Sequence, residues 1–188
     1  MNTKNSWPRE IFWLTADVLL ILLLALWLFG FRMNFTSSMP VGIYLTGSGE
    51  ARQSDLVAFC LPSNNPFSAL AKERTYLQSG LCPSGRQPLL KILAGVPGDL
   101  VEMNASGIAI NGQPLAGTKH PNHDRRGRPL PDSLLSNGVI PDGLALVISN
   151  EHAGGFDSRH FGLVPISSLH AVRPILIFGD APRQPQGD

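Results

Sequence analysis

The first apolar run along the chain covers residues 11–31, IFWLTADVLLILLLALWLFGF, and Asp17 is its only charge. A helix rising about 1.5 Å per residue over such a run crosses the roughly 30 Å hydrocarbon core of a bilayer. Lys4 and Arg9 precede it and Arg32 follows. The bias of positive residues toward the cytoplasm then places the N-terminus inside and everything after Arg32 outside. The run is longer than the apolar part of a secretory signal, and the RMNFTSS that follows offers no small-residue cleavage site. An anchor that stays attached is therefore expected rather than a removed signal. Asp17 lies within two turns of the cytoplasmic end, where it reaches the interface or faces a partner helix.

Beyond the anchor the pattern shortens to that of strands. Residues 42–46 (GIYLT) and 55–61 (DLVAFCL) read as strands. Residues 66–78 read as the one soluble helix, with Phe67, Leu70, Ala71 and Leu77 on its apolar face and Gly80 as cap. Residues 89–95 (LLKILAG) read as a buried strand and 101–103 as a short one. Residues 108–115 carry Asn111-Gly112, a tight-hairpin signal. A polar insertion with Pro and Gly fills 113–141, and further strands are expected at 144–149 and 169–178. The prediction is a mainly β catalytic domain over 32–180 with one short helix. It stands on a membrane stalk (11–31), between a cytoplasmic tail (1–10) and a disordered tail (181–188).

Composition narrows the function classes. A chain of 188 residues holds one domain plus an anchor, and its 19 Gly and 16 Pro suit short strands and frequent turns. The net charge of +1 creates no field for nucleic acid, and neither a phosphate loop nor a nucleic-acid motif is present. Cys60 and Cys82 lack metal spacing. In an exported domain they form a disulfide or stay as two buried thiols, and spacing alone leaves both open.

Chemistry enters through Lys91, the only charge between Pro88 and Gly98. In a strand it shares a face with Leu89 and Leu93, while Leu90 and Ile92 take the other. Burial among these groups lowers an ammonium pKa and makes a neutral amine base; the alternative is a lysine that snorkels out at a sheet edge. Ser37 and Ser38 precede Met39-Pro40, where Pro40 and Gly42 bend the backbone, so a serine here is a held nucleophile or a hydroxyl that closes a turn. Within residues 154–165 (GGFDSRHFGLVP), Asp157 and Arg159 are expected on one strand face, as part of a site or as a structural ion pair.

Taken in order, a membrane helix, Ser38-Met39-Pro40, KILAGVPGD from Lys91 to Asp99, and FDSRHFG resemble the type I signal peptidases, over most of residues 36–164. The resemblance implies a Ser38 nucleophile with Lys91 as general base and no cofactor. It implies an oxyanion site from the Ser38 N–H and the Thr36 hydroxyl, and a supporting role for Arg159, Pro97, Gly98 and Asp99. That family carries a serine two residues before its aspartate, and Gly155 stands there in this chain, so another group must orient the lysine. SMPVGIYL, FDSRHFG and the single anchor are more similar to the conjugal transfer peptidases of the TraF type. Those process a pilin subunit and in part of the group join its ends, with an aspartate, here Asp157, implicated beside the serine and lysine. The resemblance implies a pilin precursor or signal-peptide-bearing substrate, no nucleic acid, and a place in the bacterial inner membrane with the domain in the periplasm. Rival readings are a general signal peptidase, a degenerate structural part of a transfer channel, and a self-cleaving repressor-type protein. His120, His123 and Asp124 read as a solvated loop rather than a metal site. Arg125, Arg126 and Arg128 read as a solvated cluster rather than a lipid contact.

Overall fold

The computed structural model describes residues 7–35, 39–47, 49–124, 126–149 and 155–178. Helix α1 spans Trp7–Leu28, and its Arg9–Leu28 portion, with a mean hydropathy of 2.4 and no residue buried, is long and apolar enough to cross a membrane. It ends three residues before the apolar run does. Gly30 takes φ +90°, a conformation that stops a helix, and Phe31 already belongs to strand β1 (Phe31–Asn34). Arg32 closes the helix: its Nη1 donates to the Trp27 carbonyl at 2.7 Å while its guanidinium lies 4.9 Å from the Trp27 ring centre. A cation there meets the negative end of the helix dipole.

The strands follow as β2 (Gly42–Thr46), β3 (Leu56–Phe59), β4 (Leu89–Gly95), β5 (Leu100–Asn104), β6 (Gly107–Ile110), β7 (Gln113–Pro114), β8 (Gly138–Val139), β9 (Leu144–Ile148), β10 (Val164–Pro165) and β11 (His170–Ile177). They form a seven-stranded sheet, in order β1-β2-β11-β3-β4-β9-β10, and a four-stranded sheet, β7-β6-β5-β8. All pairings are antiparallel. The hairpin expected at Asn111-Gly112 is present: both residues have positive φ between β6 and β7.

Two apolar clusters make the core, and β9 separates them. Ala145 and Val147 pack with Val57, Phe59, Leu89, Leu93 and Phe161, while Leu146 and Ile148 pack with Val101, Ile108, Ile110 and Ile140. A strand buried on both faces reads as a continuous apolar run, and LALVI does. Its central place makes β9 a rigid platform for whatever follows Ile148.

Two expectations change in detail. Helix α2 spans only Pro66–Glu73, with Asn65 as N-cap accepting from the Phe67 N–H at 2.9 Å. Arg74 ends it and Thr75 follows at φ 57°; Leu77 is buried from irregular chain, and Gly80 lies against the Gln87 backbone instead of capping the helix. The 113–141 insertion is not loose either. Leu135 and Ile140 join the core, and the buried Thr118 accepts from the Ile108 N–H. Asp124 pairs with Arg128 at 2.7 Å and accepts from the Tyr76 hydroxyl at 2.7 Å, so this part of the predicted solvated loop is pinned to the domain and Arg128 is paired. Cys60 and Cys82 form a disulfide with Cα atoms 5.6 Å apart.

Candidate active site

Lys91 sits at the middle of β4, where the burial alternates along LLKILAG and Leu89, Lys91, Leu93 and Gly95 take the inward face. The residue is 1% exposed. Among the described residues it forms no ion pair, and its one hydrogen bond runs from Nζ to the Ser149 hydroxyl at 2.7 Å. Burial drives its pKa down to about 8; the Asp157 carboxylate pulls it up and the Arg159 guanidinium pushes it down. The amine is thus poised to lose its proton near neutral pH.

The partner was invisible in sequence. β4 and β9 pair with Ile92 opposite Ile148 and Leu93 opposite Val147, so the same register carried one step further sets Lys91 across from Ser149. Ser149 is fully buried. Its N–H donates to Asp157 Oδ2 at 2.9 Å. The only hint in the chain was the gap left by Gly155, which demanded a hydroxyl from elsewhere.

Asp157 and Arg159 do not lie on a strand as expected. Asp157 is the N-cap of the short helix α3 (Ser158–Phe161), and its Oδ1 accepts from the Arg159 N–H at 3.1 Å. The side chains still meet, because the cap turns Arg159 back over the carboxylate. Nε donates to Oδ1 at 2.9 Å and Nη2 to Oδ2 at 2.7 Å, a bidentate pair with both side chains wholly buried. The remaining guanidinium nitrogen, Nη1, donates to the carbonyls of Gly117 and Lys119, which fastens the insertion to the site. Asp157 makes no hydrogen bond to Lys91 among the described residues; it reaches the amine through Ser149. Ser158, which the sequence reading passed over, accepts the Val147 N–H and ties α3 to β9.

His120 packs on His160 with ring centres 5.0 Å apart, in an aromatic cluster with Phe156 and Phe67. Burial lowers the His160 pKa to about 4, so the ring is neutral and adds no charge near Arg159.

The rest of the lysine segment is structural. Gly95 is closely packed, since a Cβ would stand 2.7 Å from Ile140 Cδ1 and 3.2 Å from Leu146 Cβ, so the end of Ile140 would have to shift to admit it. Gly98 adopts φ +91°, which turns the chain from β4 toward β5. Asp99 accepts from the Val96 N–H and from the Asn111 side-chain amide, locking that turn to the β6–β7 hairpin. Pro97 precedes Gly98 in the same turn.

Thr36 and Ser38 lie outside the described residues. The carbonyls of the two residues after Ser38 are held by neighbouring side chains. Met39 is 1% exposed, and the Asn34 side-chain amide donates to the Met39 and Pro40 carbonyls at 3.0 and 2.9 Å. The Tyr44 hydroxyl donates to the Pro40 carbonyl at 2.6 Å.

Residues 10–178 match the family described as signal peptidase, peptidase S26. A conjugal transfer protein TraF of Agrobacterium fabrum is 36% identical over 152 residues, covering 79% of this chain and 84% of that protein. A plasmid transfer protein TraF of Escherichia coli is 33% identical over 148 residues, covering 78% and 83%. The crystal structure of a signal peptidase I from Enterococcus faecalis V583 aligns over 68% of this chain and 99% of its own, at 19% identity and a TM-score of 0.37. With its match running from α1 to the last strand, the chain belongs to the S26 signal peptidase family.

Proposed function

We propose that this chain is a membrane-anchored endopeptidase that matures the pilin subunit of a conjugative transfer system, with Ser38 as nucleophile and Lys91 as general base. One observation carries the reading: a lysine fully buried in a core strand, without a carboxylate partner among the described residues, its pKa lowered to about 8. A buried ammonium without a counter-ion is costly, and structure alone gives no reason to keep it. A neutral amine beside a hydroxyl nucleophile does. The relatives named as conjugal and plasmid transfer proteins support the choice of substrate class.

Lys91 Nζ takes the Ser38 hydroxyl proton as Oγ bonds to the scissile carbonyl carbon. The oxyanion is held by the Ser38 N–H and the Thr36 hydroxyl. The C–N bond breaks, and the proton on Lys91 passes to the departing amine, leaving an ester on Ser38. Lys91 then deprotonates the second nucleophile. Water yields a linear product and the N-terminal amine of the same polypeptide a cyclic one; in either case the ester C–O bond breaks and the proton on Lys91 returns to Ser38 Oγ. Asp157 and Arg159 act at one remove, by fixing the end of β9. Anchored by α1 with the domain on the periplasmic face of the inner membrane, the site meets substrates as they emerge from the bilayer.

The test is the intact mass of a co-expressed candidate pilin with the wild-type enzyme, Ser38→Ala and Lys91→Ala. A shorter product, lighter than the linear peptide by one water and absent with either variant, is expected for cleavage with cyclisation. A serine-dependent product without that loss identifies hydrolysis, as in a general signal peptidase. Processing by either variant removes that residue from the dyad.

A further inference from the structure

We infer that Ser149 is the positioning residue for Lys91, and that Gly155 is its steric counterpart, so the two positions form one coupled pair. The inference deepens the serine–lysine reading above and rests on it. Lys91 needs its lone pair aimed at the nucleophile, yet four carbon–carbon bonds and a freely turning amine leave that direction undetermined. A hydrogen bond donated from Nζ to a fixed acceptor removes the freedom. The Ser149 hydroxyl provides this acceptor at 2.7 Å.

Ser149 is itself held more firmly than a terminal strand residue requires. It follows β9, the strand buried on both faces. Its N–H donates to Asp157 Oδ2, and both oxygens of that carboxylate accept from the buried Arg159 guanidinium. The Asp157–Arg159 pair therefore acts on the lysine through the backbone of residue 149.

Gly155 leaves free the space that Ser149 occupies. A Cβ at 155 would lie 2.6 Å from Ser149 Cβ and 3.0 Å from Ser149 Oγ. The space beside the amine admits one hydroxymethyl group, and in this chain it comes from position 149. A serine at 155 would fill the same space from the other side, but only with a glycine at 149. The two sequence positions are alternatives for one hydroxyl.

The experiment uses the full-length enzyme with its co-expressed pilin substrate and reads cleavage rate, with kcat and KM separated, beside thermal stability. Ser149→Ala keeps the Cβ and removes only the hydroxyl; kcat is expected to fall about 100-fold with KM little changed, the cost of a misdirected base. Gly155→Ser alone crowds the site and lowers activity. The exchanged pair Ser149→Gly with Gly155→Ser returns a hydroxyl to the amine and is expected to exceed Ser149→Ala by at least tenfold. The pair Ser149→Gly with Gly155→Ala restores the volume without the hydroxyl; it should melt close to the exchanged pair yet cleave no faster than Ser149→Ala. Equal rates in the two double variants overturn the inference, because packing alone then explains Ser149. Wild-type rate in Ser149→Ala overturns it as well. Ser38→Ala and Lys91→Ala run in parallel: if either still cleaves, the dyad fails, which is a separate result from an active Ser149→Ala enzyme beside two inactive dyad variants.

Discussion

Replacing Lys91 by Met should abolish activity and make the protein more stable at neutral pH. The sign follows from proton linkage. The folded pKa is about 8 against an ordinary value of 10.5, so the unfolded chain binds the proton more tightly. A folded state that binds fewer protons gains stability as pH rises, and the destabilising effect of Lys91 is fully present below pH 8 and fades between 8 and 10.5. The shift corresponds to about 3 kcal/mol at pH 7. It falls to about 1 kcal/mol at pH 9.5 by the same linkage. Methionine has a similar length, carries no charge and fits beside Leu89 and Leu93. It leaves the buried Ser149 hydroxyl without its lysine, which costs about 1 kcal/mol. The expected net gain is about 2 kcal/mol at pH 7 and close to zero at pH 9.5. For a domain of this size the neutral-pH gain raises the melting temperature by roughly 4–8 °C. Thermal melts of wild type and Lys91→Met in detergent at both pH values measure it. A variant that melts lower than wild type at pH 7, or a difference that does not shrink at pH 9.5, refutes the buried-amine reasoning.

Three further outcomes follow from the same geometry. The rate of substrate cleavage should rise about tenfold between pH 7 and pH 9 and level off above pH 9, as the neutral fraction of an amine with pKa about 8 climbs; a flat profile contradicts Lys91 as the base. Asp157→Asn leaves the buried Arg159 without its counter-charge and turns an amide N–H₂ toward its donors. That should lower the unfolding free energy by about 3–5 kcal/mol, visible as a reduced denaturant midpoint, and cleavage should be lost with it. Removing the Cys60–Cys82 bridge, which closes a separation of 22 residues, should cost about 3 kcal/mol. The Cys60→Ser/Cys82→Ser protein should melt roughly 10 °C below wild type, with no effect of reductant on its own melting temperature.

What could be read from the chain alone was set by local rules. The long apolar helix followed from length and apolarity, β2 and β4 from β-branched and apolar runs with clear edges, and the hairpin from Asn111-Gly112. Lys91 stood out because one charge in seven strand residues breaks the pattern of its own segment. Its partner did not stand out, because Ser149 at the end of an apolar strand looks like any hydroxyl that closes a run. Only the pairing of β4 with β9, across more than fifty residues of sequence, places the two side chains together. The same limit misplaced Asp157 and Arg159. Alternation suggested a shared strand face, whereas Asp157 caps a four-residue helix whose geometry comes from the contact with β9. The short reach of α2 and the pinned insertion belong to this class too, since Thr75 turns the chain and the Asp124 cluster forms only when Tyr76 is near. Sequence determines which residues are unusual for their surroundings in the chain; long-range register decides which of them meet, and the chemistry of this site arises where they do.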